Sequence, residues 1–297
     1  NNATTVQAVK TASSFFTALD LCDIAYPRTC YKLPFVFSEC YLQKFAGGCG
    51  GAHIKKVIDQ DAKLGINHYY QQQIDGRSIS LLFIANSCNI ETIGFNEQWT
   101  YPAETMPFRY GGAVSHIDLP SAVQQQLIYA AEQLTRAFGL LGLNSLDAIV
   151  QDDIVYVLEI NPRLSATFDL YLADFYQNVG VNIMDLHIQA SLEGEKFQHC
   201  NVKKSIQIAS QPKAHATVYA PVDVVISASF EWPNWVVDSP YLAKQDYEIQ
   251  ILAGEPVCSI LAHADDAGIA KHLVEARVKV IMNLLENNIK KGVYATL

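Results

Sequence analysis

The residues best suited to chemistry lie in the segment LNSLDAIVQDDIVYVLEINPRLSAT, positions 143 to 167. Asp147 stands on the first of two apolar runs. Glu159 and Asn161 hold alternate positions of the second, which sends both side chains to one face of a strand. A turn at Asp152-Asp153 makes the two runs an antiparallel hairpin and brings Asp147 beside them. Two carboxylates and a carboxamide are hard oxygen donors that suit Mg²⁺. That ion keeps coordination positions for water and for substrate phosphates, such as those of a nucleoside triphosphate. Pro162 ends the strand, and Arg163 then offers a permanent cation where charge on a transferred phosphoryl group needs stabilising. Isolated acidic pairs are most often solvated. Glu159 differs because it interrupts the apolar run VYVLEI, where an unpaired carboxylate is costly to bury.

A second constellation is YLQKFAGGCGGAHIKK, positions 41 to 56, in which Lys44 precedes Gly47, Gly48, Gly50 and Gly51. Glycines let backbone amides approach phosphate oxygens, and Lys44 adds a point charge at the same place. No GK[ST] follows and no GxGxxG opens a helix, so neither common phosphate-loop motif is present. A glycine-rich turn alone is more often a flexible loop. Its reading as a phosphate-covering flap depends on the hairpin.

These groups need elements to position them. Apolar spacing predicts a helix over Thr5 to Leu19, strands over 31–37 and 39–44, and a short helix over 53–63. Strands over 69–74 and 78–85 follow, with Asp75-Gly76 as the turn between them. A helix over Ser121 to Gly139, with Ser121 as N-cap, leads into the hairpin strands 145–151 and 155–160. Helices over 168–180 and 182–194, strands over 214–220, 224–228 and 248–252, and a closing helix over 267–288 complete the pattern. The change of character places a domain or subdomain boundary near 195 to 205.

Half of the 297 residues are apolar, which predicts a large core divided between two or three lobes. A formal charge of -9 argues against general nucleic-acid or membrane-surface binding. No apolar run reaches a bilayer-spanning length and no signal peptide is recognisable, which makes a cytoplasmic protein the expectation. The seven cysteines are odd in number and never spaced CxxC, against both a disulfide framework and a zinc site.

Together, Lys44 with GGCGG, QQQIDG at 71 to 76, Asp147, and EINPR at 159 to 163 resemble the ATP-grasp superfamily. That family's pattern is a lysine before a glycine-rich flap, a hinge strand, and a late hairpin carrying D/E and E-x-N, commonly E-x-N-P-R. Within it the chain is similar to the predicted ATP-dependent carboligases (carboxylate-amine ligase-like), whose C-terminal extension resembles YAPVDVV, WPNWVVDSP and GEPVCSILAHA. The resemblance implies an α+β ATP-grasp fold: two α+β lobes enclosing an ATP cleft, with a β-rich C-terminal extension. It divides the chain into an ATP-grasp region over 1–195 and an extension over 196–297 packed on the large lobe. The small lobe would cover about 20–73, the hinge about 71–76 and the large lobe about 77–195.

Adenine would lie against the backbone of Gln72, Gln73 and Ile74, with Lys44 and Lys10 on the α- and β-phosphates. Asp147, Glu159 and Asn161 would hold one or two Mg²⁺ ions, with Mn²⁺ as an alternative, and Arg163 would face the γ-phosphoryl group. Arg109, in a loop that relatives place near the acyl substrate, would anchor a substrate carboxylate, against the alternative of a surface arginine. The implied partners are a small-molecule carboxylate and an amine-type acceptor, with a homodimer allowed. A bicarbonate-using carboxylase like biotin carboxylase, and a non-catalytic ATP-binding regulator, are the alternatives. Two departures stand out: Gln72 replaces the Glu of many relatives, and the chain begins where the family's middle domain would. His53 and His116 are read as structural in the absence of a partner at triad spacing. Cys49 is read as a small flap residue, and Trp232 and Trp235 as a pocket rim or a core cap.

Overall fold

The computed structural model describes residues 1–32, 40–57, 65, 67–172, 176, 180, 182–197, 211–227, 230–239 and 248–295, with side chains as far as 286. The opening segment is two helices rather than one, α1 (Ala3–Lys10) and α2 (Ala12–Leu21). Thr11 between them is extended, with φ -91° and ψ 113°. Val9, Phe15, Phe16 and Leu19 are buried as their spacing predicts. The break leaves Lys10 as the last residue of α1.

Four short strands follow: β1 (Thr29–Cys30), β2 (Tyr41–Phe45), β3 (Lys55–Lys56) and β4 (His68–Gln72), paired in the order β1-β4-β2-β3. The helix expected over 53–63 is instead strand at Lys55–Lys56, paired with Gln43 and Leu42. Residues 58–63 of that stretch, and most of the strand expected over 31–37, lie outside the described residues.

The main sheet is antiparallel and contains β5 (Arg77–Asn86), β6 (Ile90–Thr100), β7 (Tyr110–Ser115), β8 (Leu141–Gln151), β9 (Ile154–Asn161), β10 (Lys213–Tyr219), β12 (Val236–Val237) and β14 (Pro256–His263). Their order is β12-β14-β10-β7-β6-β5-β8-β9. A separate pair joins β11 (Val224–Ile226) to β13 (Ile249–Ile251). Because β4 and β5 belong to different sheets, Asp75-Gly76 is not the turn of a hairpin. It belongs to the crossing from the small sheet to the large one. Pairing of β10 with β7, His215 opposite Ala113, makes the C-terminal strands part of the main sheet.

Helix α3 (Ser121–Phe138) begins after Pro120, which occupies the N-cap position expected for Ser121, and no side chain caps it. It ends at Gly139 in the left-handed conformation. The helix expected over 168–180 starts as a 3-10 turn, Ala166–Leu170, and most of its remainder lies outside the described residues. Asn182 caps α4 (Ile183–Glu193) by accepting from the Met184 amide at 2.8 Å. α5 (Ala267–Ala295) closes the chain.

Among the described residues three cores hold this arrangement. α1, α2 and α3 bury Val9, Leu19, Val123, Leu127 and Leu134 against Ile79, Leu81, Leu146 and Val157 on one face of the main sheet. On the opposite face, Leu82, Ile84 and Leu143 pack under Tyr171, Ile183 and Leu186. α5 covers β10 and β14 through Val274 and Ile281. Each fully buried Leu or Ile contributes about 1.5–3 kcal/mol, so the sheet is the rigid base of whatever stands on it. The part of the second face left uncovered by α4 is the floor of a cleft.

Candidate active site

The β8–β9 hairpin turns at Asp152 and Asp153, both with positive φ (50° and 62°), as a two-residue hairpin turn requires. Its register pairs Ser145 with Asn161 and Asp147 with Glu159, but Ala148 with Val157. Leu158 therefore has no partner, and β9 carries a bulge. Val155 and Val157 point into the helix-covered core. Simple alternation would send Glu159 after them. The extra residue shifts the phase, so that Leu158, Glu159 and Asn161 line the cleft while Ile160 returns to the core.

The three predicted donors meet there. Asn161 Nδ2 donates to Asp147 Oδ2 at 2.8 Å. Lys10 Nζ donates to Glu159 Oε2 at 2.6 Å and to Asn161 Oδ1 at 3.0 Å. An ammonium ion thus sits between a carboxylate and a carboxamide oxygen, where a hard cation fits the same donors. Gln98 Nε2, on a strand the sequence reading did not anticipate, donates to Asp147 Oδ1 at 3.3 Å. Burial raises the Asp147 carboxyl to about 7, and the neighbouring Glu159 charge pushes in the same direction while Lys10 opposes it. Among the described residues no three His, Cys, Asp or Glu side chains form a metal cluster. The donor set of two carboxylates and one carboxamide suits an ion that a ligand's own phosphates help to hold.

The opposite wall comes from the small sheet. Lys44 is only 6 % exposed and donates to Gln71 Oε1 at 2.6 Å, and Gln71 in turn donates to Thr29 Oγ1 at 3.1 Å. Burial lowers the Lys44 ammonium to about 8, opposed by the charges of Glu159 and Asp147. The glycine turn after β2 closes against β7: the Tyr110 amide donates to Gly50 O at 2.9 Å. A Cβ on Gly51, whose φ is +73°, would lie 1.8 Å from Phe108 O. Only glycine admits that approach.

Between floor and flap lies a cleft of about 840 Å³, of a size that takes a nucleotide-scale ligand. It is lined by Lys44, all four predicted flap glycines, Gln72, Gln73, Ile74, Asp147, Glu159, Asn161 and Arg163. At the hinge the amides of Gln72 and Gln73 donate to Arg28 O and Cys40 O, both at 2.8 Å. Those two amides serve the small sheet. Arg163 is exposed at the cleft wall, with Nη1 on Leu164 O at 2.8 Å.

Arg109 is not brought to the cleft. It is 6 % exposed, donates to Tyr101 O at 3.2 Å and Gly254 O at 3.3 Å, and lies 3.8 Å over the Tyr219 ring. Its charge joins the loop before β7 to the C-terminal strands. His53 lines the cleft behind the flap, with its imidazole value lowered by burial, whereas His116 contacts Ser115 Oγ and the Tyr171 ring. Trp232 and Trp235 pack against the third core.

The fold and site together define a two-lobed α+β protein whose acidic, oxygen-rich floor faces a lysine and a glycine flap across a deep cleft. The chain belongs to the ATP-grasp domain family, whose model matches residues 14–167. Lys10 lies just before that span. The chain is 23% identical over 234 residues to the uncharacterized protein MJ0776 of Methanocaldococcus jannaschii, covering 73% of this chain and 58% of that protein. A biotin carboxylase from Campylobacter jejuni shares the fold with a TM-score of 0.67 at 13% identity, over 90% of this chain and 65% of that one. An L-amino acid ligase from Bacillus licheniformis does so with a TM-score of 0.64 at 12% identity, over 92% and 71%. The chain thus spans less than two thirds of the first two relatives. Among the described residues no helix is long and apolar enough to cross a membrane.

Proposed function

We propose that this chain is an ATP- and Mg²⁺-dependent ligase that activates a carboxylate as its acyl phosphate for attack by an amine, releasing ADP and phosphate. The observation that carries the reading is the gathering of Asp147, Glu159 and Asn161 on a cleft floor facing Lys44 and the flap, with the Lys10 ammonium held by Glu159 and Asn161 and Asp147 joined to them through the Asn161 amide. Asp147, Glu159 and Asn161 would hold the metal. Bound there, Mg²⁺ would neutralise charge on the transferring phosphoryl group.

In the first step a carboxylate oxygen attacks the γ-phosphorus, and the bond to the bridging oxygen breaks with its electrons leaving on ADP. In the second, the amine nitrogen attacks the acyl carbon, phosphate departs with the C–O electrons, and the amine loses a proton. The chain's own work is positioning and charge balance. Gln71 aims Lys44 at the triphosphate, whose negative charge raises the lysine's depressed affinity for its proton. Arg163, exposed at the wall, supplies a cation to the reacting end. The flap covers the phosphates and excludes water.

The test is a panel of carboxylates and amines scored for phosphate release, with Glu159→Gln as the blank. ADP formation dependent on one carboxylate and one amine is the expected result. AMP formation would overturn the acyl phosphate step. Bicarbonate alone sustaining ADP formation would redirect the reading to a carboxylase, and tight ATP binding without turnover to a regulator.

A further inference from the structure

On the cleft face of β8 the residues run Ile149, Asp147, Ser145, Leu143. Ile149 marks the hinge end: a Cβ on Gly76 would lie 2.8 Å from its Cγ2. Leu143 is already in the core beneath Ile183 and Leu186. Ser145 is therefore the last cleft residue before the core closes. It lies one two-residue step, about 6.5–7 Å, beyond Asp147 on the side away from the hinge.

The Ser145 side chain is 1 % exposed, lines the cleft, and its Oγ has no hydrogen-bond partner among the described residues. Its neighbours explain why. Leu82, its partner on β5, is apolar. Asn161, its partner on β9, directs Oδ1 to Lys10 and Nδ2 to Asp147. Ser165 and Thr167 bond each other at 2.9 Å. A buried hydroxyl left unpaired bears the full desolvation of the group, which alanine would avoid. The serine is explained if a ligand completes it.

We infer that the Ser145 hydroxyl donates to the terminal phosphoryl group of the bound nucleotide, so that this residue reads the third phosphate. The inference rests on the ATP reading above. If the nucleotide runs from the hinge at Ile149 past the donors at Asp147, the group one step further along β8 is the γ-phosphate. A carboxylate that holds a metal ion offers only acceptor oxygens, so Asp147 and Glu159 in that role cannot donate to that phosphate. A neutral hydroxyl can, without adding charge to a floor that already holds two carboxylates.

The experiment is calorimetric titration, in Mg²⁺, of the wild-type chain, Ser145→Ala and Ser145→Cys with the non-hydrolysable β,γ-imido analogue of ATP and with ADP. Thermal unfolding of each unliganded protein accompanies it. The alanine variant is expected to bind the triphosphate analogue about tenfold more weakly, a typical loss for a hydrogen bond to a charged group, and ADP within about twofold of wild type. Its unliganded melting temperature should be equal or higher. The cysteine variant, a weak donor of similar shape, should fall between. The inference is overturned if Ser145→Ala binds the analogue like wild type, if it loses both nucleotides equally, or if its melting temperature falls, which would make the hydroxyl structural. A wild-type chain that binds neither nucleotide would instead overturn the ATP reading itself.

Discussion

Replacing Lys10 with methionine tests the floor of the cleft directly. The change keeps the apolar stem and removes the ammonium that bridges Glu159 Oε2 at 2.6 Å and Asn161 Oδ1 at 3.0 Å. With side chains 19% and 37% exposed, the pair lies between two regimes. Fully exposed pairs contribute about 0.2–1 kcal/mol, and breaking a buried one costs about 3–5 kcal/mol. A value of about 1–2 kcal/mol follows, equivalent to about 5–30-fold in a binding constant. If the ammonium stands where a hard cation would, its removal has opposite effects on two ligands. Mn²⁺ alone should bind Lys10→Met about 5–30-fold more tightly, because Glu159 and Asn161 no longer have to release an internal cation. The Mg²⁺ complex of ATP should bind more weakly, having lost a cation near its phosphates. Free Mn²⁺ can be followed by its electron paramagnetic resonance signal at pH 8, above the value of about 7 to which Asp147 is raised, so that its carboxylate is ionised. Mn²⁺ affinity unchanged or weakened in the variant would refute the argument.

The raised Asp147 value makes a pH-dependent stability prediction. The native state holds this proton at pH values where the unfolded chain, with an ordinary carboxyl near 4, has lost it, so the ionised group destabilises the fold. Asp147→Asn should therefore be more stable than wild type in metal-free urea unfolding at pH 8. The gap should shrink as pH falls through 7 and close below about 4; a gap that widens toward acid would show the sign to be wrong. Gly51→Ala puts a Cβ 1.8 Å from Phe108 O in a left-handed conformation, a strain of about 1–3 kcal/mol. Its affinity for a triphosphate analogue should fall by at least about tenfold in calorimetry, and wild-type affinity would show that the flap does not seat on β7. Arg109→Met removes two carbonyl hydrogen bonds and the Tyr219 contact, for an expected stability loss of about 2–4 kcal/mol in urea unfolding. A loss under about 0.5 kcal/mol would favour the substrate-anchor role instead.

The hairpin and the flap were legible in the sequence because their constraints act on residue type. Hard oxygen donors at alternating positions, and glycines beside a lysine, are patterns that a single chain displays. The family model agrees with the resemblance that those patterns carry. Strands β6 and β7 were not legible. YGGAVS carries two glycines, and IETIGFNEQWT interrupts its β-branched and aromatic residues with Gly94 and the polar run Asn96 to Gln98, so pairing with β5 and β10 decides their state. With β6 went Gln98, whose contact with Asp147 joins residues far apart in sequence. Gln71 and Ser145 were hidden for a related reason: each is an ordinary polar residue that becomes notable only when its neighbours are known. Arg109 illustrates the reverse. Nothing local distinguishes an arginine aimed at a ligand from one packed on the Tyr219 ring. The long first helix failed because apolar spacing reports burial, and burial survives a break at Thr11.

The unpaired Leu158 has a consequence for how this strand can change over time. β9 runs in two phases: before the bulge its inward residues answer to α3, and after it they answer to the cleft. Substitutions at Val155 or Val157 can follow the helix without re-aiming the donors, and the donors can change without disturbing the helix. Deleting the single residue Leu158 would remove the bulge yet keep the site, because Val157 and Ile160 would still face the core and Glu159 and Asn161 the cleft. A one-residue slip that set Leu158 opposite Asp147 would instead turn Glu159 and Asn161 toward Leu127 and Leu134 and Ile160 toward the cleft, so the same sequence in the neighbouring register would hold the site inside out.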